Sequence, residues 1–177
     1  MKRTAAGLTL LELMVALAIV AIAAGVGLPA FGATMERTRA MTIYNGVTTA
    51  LVFARNAAVT QRRPAAVCPS ADGLRCRTDG VWDEGWIVFM DPEHHGQPKD
   101  AASVLQRGER LHGQMRLRAT AGRPVVRFQR SGSAYGSNVT LRLCKDARLL
   151  GTIVLNNAGR ARTTREPATA RCPFALD

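Results

Sequence analysis

Between Leu13 and Leu28 the chain carries an apolar run, preceded by Lys2 and Arg3. A run of this length behind a short basic stretch enters a membrane, and this commits the N-terminal part to a helix. A cleavable secretory signal is one reading, with "AFGA" at 30–33 as the cut. That reading leaves Glu12 without a purpose at the head of the apolar segment. A carboxylate inside a bilayer costs ~2.5–3.5 kcal/mol unless it finds a partner. A chain cut after Gly7 would begin at Leu8, and its free amine on a neighbouring copy would supply that partner.

Past the apolar run, Pro29 implies a kink. Tyr44, Val47, Leu51, Ala54 and Ala58 then recur at spacings of three and four, which predicts an amphipathic helix packed on a domain. "QRRP" ends it at about Arg63, because Pro64 disfavours helical geometry in the residue before it. The expected divisions are residues 1–7 as a leader, 8–31 as the membrane helix, 32–63 as its amphipathic continuation and 64–177 as a β-rich domain.

In that last part the runs 86–90, 115–119, 125–130, 139–144 and 149–155 read as strands separated by Gly, Pro, Ser and Asn. Alternation turns Met115, Leu117, Val126, Phe128, Leu141 and Leu143 inward. Arg116, Arg118, Arg127 and Arg142 then face outward.

Charge is polarised along the domain. Residues 79–109 hold seven acids against two bases, whereas 110–177 hold thirteen bases against three acids, within a net charge of +11 for the chain. A polarised distribution points to a basic face. Four cysteines allow three connectivities. We expect Cys68–Cys76 to close the loop "CPSADGLRC" and Cys144–Cys172 to tie the tail to a late strand, in an oxidising compartment.

Enzyme signatures are absent: no Ser/His/Asp spacing, P-loop or paired carboxylates appear, and a catalytic role is not expected. His94 and His95 are adjacent, a poor arrangement for a shared metal, and no metal or other cofactor is expected. In the basic third the aromatics are only Phe128, Tyr135 and Phe174, which argues against sequence-specific single-strand recognition. The stretch "NNAGRARTTREP" (156–167) reads as a turn followed by a final strand with three arginines.

The leader ending at Gly7, "LTLLEL" and the apolar helix with Pro29 resemble a type IV prepilin, with Leu8 where that family usually has Phe. The resemblance implies cleavage after Gly7 by a prepilin peptidase and methylation of Leu8. Assembly with other type IV pilins would be guided by Glu12, after a stage as a single-pass precursor in the inner membrane. "VWDEGWIVFMD", "VLQRGERL", "VVRFQRSGSA" and "VTLRLCKD" together resemble the GspH/FimT group of minor pilins and pseudopilins. That group implies an α+β fold, a long N-terminal helix packed on two small antiparallel sheets. Its FimT branch carries a Gly-Arg-x-Arg motif that binds DNA in natural transformation, matched here by Gly159, Arg160 and Arg162. Arg165, Arg171, Arg148, Arg142 and Lys145 would extend the grip on double-stranded DNA. The alternative is a structural subunit, similar to GspH or FimU, that primes or caps a type IV pilus or a type II secretion pseudopilus.

Overall fold

The structure, a computed structural model, describes residues 9–120 and 122–174, with the side chains of 26–30 left out of the description. The expected leader, with Gly7 and Leu8, lies outside the described residues. Helix α1 runs Leu10–Thr60 and is helical through Pro29. Its start is fixed by a reciprocal cap, in which the Thr9 amide donates to Glu12 Oε2 at 2.9 Å and the Glu12 amide donates to Thr9 Oγ1 at 3.3 Å. Two compact units divide between Arg39 and Ala40.

In the first unit nearly all of the described helix side chains are exposed, including Leu11, Met14, Val20 and Ile22. In the second unit the helix buries the predicted stripe of Tyr44, Val47, Leu51, Ala54 and Ala58. It stops at Thr60 rather than Arg63. The Arg62 amide bonds back to the Val59 carbonyl, and Arg62 itself adopts a left-handed φ of 53° ahead of Pro64.

Eight strands follow: β1 (Ala65–Pro69), β2 (Trp86–Met90), β3 (Val104–Gly108), β4 (Met115–Ala119), β5 (Val126–Phe128), β6 (Val139–Lys145), β7 (Arg148–Leu155) and β8 (Ala161–Arg165). They form two four-stranded antiparallel sheets, ordered β3-β2-β1-β5 and β4-β6-β7-β8. Strand β1 escapes the alternation rule because all five of its residues are buried, which leaves no polar face to mark it.

The main core joins the helix stripe to Val67, Val88 and Phe128 of the first sheet and to Leu117, Leu141, Leu143 and Ile153 of the second. A smaller apolar cluster of Ala66, Cys68, Cys76, Ile87 and Phe89 covers the other face of the first sheet. Trp82 and Trp86 are packing residues, buried with ring centroids 6.5 Å apart. Both expected disulfides form, Cys68–Cys76 and Cys144–Cys172.

Candidate nucleic-acid interface

Pairing register decides which arginines share a surface, because residues directly opposite across a ladder point to the same face. In the second sheet one row is Leu117, Leu143, Gly151 and Arg165, and the next row on that core-facing side is Leu141, Ile153 and Thr163. The opposite, outer face carries the row Arg118, Arg142, Thr152 and Thr164, followed by Thr140, Val154 and Arg162. Arg142 and Arg162 therefore share the outer face. Two strand spacings and two residues separate them, a Cα distance of roughly 12 Å. The threonine hydroxyls lie on the same face among them.

Arg165 does not join them. Its position in the ladder places it on the core-facing side, at the exposed edge of the sheet, where its charge acts on Tyr44. Burial outweighs that charge and pushes the Tyr44 phenol up to about 12.

Lys145, Arg148 and Arg171 gather elsewhere. Lys145 opposes Arg148 at the turn between β6 and β7, and Arg148 in turn bridges to Arg171 of the tail. The tail is held there by the Cys172 amide donating to the Ala147 carbonyl at 2.9 Å and by the disulfide to Cys144. This explains why Cys144, on the outer face, is fully buried. From that turn to Arg160, at the far end of β7, the distance along the strand is roughly 20–25 Å.

Arg160 stands beside a tight turn. The Gly159 amide donates to the Asn156 carbonyl at 2.9 Å, and the Arg160 amide to Asn156 Oδ1 at 2.9 Å. Gly159 is buried, with φ of +74°, and a Cβ there would come within 2.2 Å of the Gly132 carbonyl oxygen. It lets two loops touch. Arg160 and Arg162 themselves are exposed.

Electrostatics separate these cations from the remaining arginines. Asp79 pairs with Arg77, Glu84 with Arg110, Asp83 with Arg118 and Asp91 with Arg127. Arg127 faces outward as predicted yet is occupied, reaching buried Asp91 at 2.7 Å. Arg118 also stacks on Phe174, 5.6 Å from the ring centre. Among the described residues, Arg142, Arg160 and Arg162 form no ion pair. Likewise among the described residues, no group of three His, Cys, Asp or Glu side chains is gathered to hold a metal.

A long helix whose C-terminal half packs on two antiparallel sheets is the architecture of a type IV pilin subunit. The fold resembles the type IV minor pilin FimU of Pseudomonas aeruginosa strain PAO1 in space group P21, with a TM-score of 0.59 and 16% identity over 79% of this chain and 97% of that one. The same protein in space group P65 aligns with a TM-score of 0.49 and 18% identity, over 78% and 94% of the two chains. No curated protein sequence matches the chain.

The chain belongs to the family described as Type II transport protein GspH, which matches residues 45–159. Residues 2–28 match the prokaryotic N-terminal methylation motif. Together these fit a membrane-anchored precursor that is processed into a pilus. Among the described residues no helix is long and apolar enough to cross a membrane. The GspH match ends at Gly159, so Arg160, Arg162, Arg165 and Arg171 lie beyond it.

Proposed function

We propose that this minor pilin is of the FimT kind and holds extracellular double-stranded DNA through phosphate contacts, for uptake in natural transformation. The observation that carries this reading is that Arg142, Arg160 and Arg162, on and beside one sheet face, form no ion pair among the described residues. Guanidinium groups bind phosphate in bidentate, charge-assisted fashion, and hydroxyls such as those of Thr140, Thr152 and Thr164 add donors. Such contacts read no sequence, which suits uptake of arbitrary DNA. Affinity of one module is of order 10⁻⁴–10⁻⁶ M, and several copies along a fibre raise it by avidity. No catalytic residue or cofactor enters this reading.

The test is a salt titration of duplex binding by the full chain in detergent micelles, comparing wild type with Arg160→Gln/Arg162→Gln. The double variant is expected to bind more weakly, with its log K against log[salt] slope shallower by about 2. Arg165→Gln, on the other side of the ladder, is expected to leave the slope near that of wild type. A wild-type chain that binds no duplex at low salt rejects the reading.

A second reading then stands, that of a structural subunit priming or capping a type IV pilus or a type II secretion pseudopilus. Its favouring observation is the exposed apolar set Val52, Phe53 and Val59 on α1, which suits packing against neighbouring pilins.

A further inference from the structure

Tyr135 is 78% exposed, against 6% for Tyr44 and 6% or less for both tryptophans. It sits at the tip of the loop between β5 and β6, and this loop is joined to the arginine-bearing turn. The Ala134 amide donates to the Asn157 carbonyl at 2.9 Å, and Gly132 lies against Gly159. From Asn157 to Arg160 the chain can span at most roughly 10 Å. Arg130 is exposed in the same loop, within the turn closed by the Gly132 amide bonding to the Gln129 carbonyl. Arg123 donates to the Gly136 carbonyl, next to the tyrosine. Between Arg110 and Lys145 the sequence has no acidic residue. The exposed Tyr135 is thus carried by a loop that also bears Arg130 and that is hydrogen-bonded through Ala134 to the turn preceding Arg160.

We infer that Tyr135 is a stacking platform for unpaired nucleobases, so that the same end of the domain prefers DNA with single-stranded stretches. This rests on the DNA-binding reading above and adds a substrate class to it. Phosphates meet Arg160 and Arg130 while a base lies on the tyrosine ring. Every base has a π-face, so one aromatic gives preference for unpaired DNA without preference for sequence. In an intact duplex the faces are already stacked, and Tyr135 gains nothing there.

The experiment measures anisotropy of a labelled 20-nucleotide single strand and of the matching duplex, using the full chain in detergent micelles. Tyr135→Ala is expected to weaken single-strand binding about five- to hundredfold. Its duplex affinity should stay within about twofold of wild type, which also reports that the variant is folded. Tyr135→Phe, keeping the ring, should restore single-strand binding. Equal losses on both probes, or no loss on the single strand, overturns the stacking role while duplex binding by wild type keeps the parent reading. Wild type that binds neither probe overturns both.

Discussion

Two populations of arginine occupy this domain, and they differ in what surrounds them rather than in chemistry. Those near the acidic segment 79–93 are consumed: Arg77, Arg110, Arg118 and Arg127 each hold a carboxylate. Those of β6, β8 and the turn before β8 meet no carboxylate among the described residues, as Arg142, Arg160 and Arg162 show. The first population contributes to folding; the second is available to a polyanion. A basic composition therefore overstates the binding surface, and pairing decides which charges count.

The sharpest way to break this comparison is Arg127→Ala. It leaves Asp91, whose side chain is 2% exposed, without its cation, and stability should fall by about 3–5 kcal/mol in urea unfolding. Duplex affinity of the folded fraction should stay near wild type. A selective loss of DNA binding with unchanged stability would erase the distinction between the two populations.

Next in size is Gly159→Ala. The added Cβ meets the Gly132 carbonyl in a left-handed backbone, so a loss of roughly 1–3 kcal/mol is expected, again by urea unfolding. Unlike Arg127→Ala, it should also weaken DNA binding, because the turn that presents Arg160 must shift.

The smallest effect concerns the edge where Arg165 sits. Burial raises the Tyr44 phenol from 10.0 to about 12 in the folded state. Stability from this group is complete below about pH 10 and is lost as pH rises through 10 towards 12, since the unfolded chain ionises first. Tyr44→Phe should flatten that alkaline decline in thermal melts. At neutral pH it should match or exceed wild type, because the Tyr44 hydroxyl is buried without a hydrogen-bond partner among the described residues.

The helix and six of the strands were legible in the sequence: the helix by its stripe at spacings of three and four, β4, β5, β6 and β7 largely by alternation, β2 by its run of large apolar residues and β8 by the turn before it. Strand β1 was not, being buried on both faces, and β3 at the sheet edge is only half-buried. The basic tail was legible as charge but not as geometry. Arg160, Arg162 and Arg165 are neighbours in sequence, yet ladder parity separates Arg165 from Arg162. No local pattern could reveal that Arg127 meets Asp91 across 36 residues, or that Gly159 is buried against Gly132. Tyr135 was visible only as one of three aromatics, since its exposure and its neighbours depend on loop docking.

The Cys144–Cys172 bond has a mechanical consequence. Residues 144 to 172 form a closed covalent ring that contains the whole of β7, β8 and the turn bearing Arg160. Under the proposed reading, a load applied to DNA at Arg160 and Arg162 would not draw out a loose chain end. It would pass through the ring into β6, an interior strand of its sheet, so the grip would strain without unravelling.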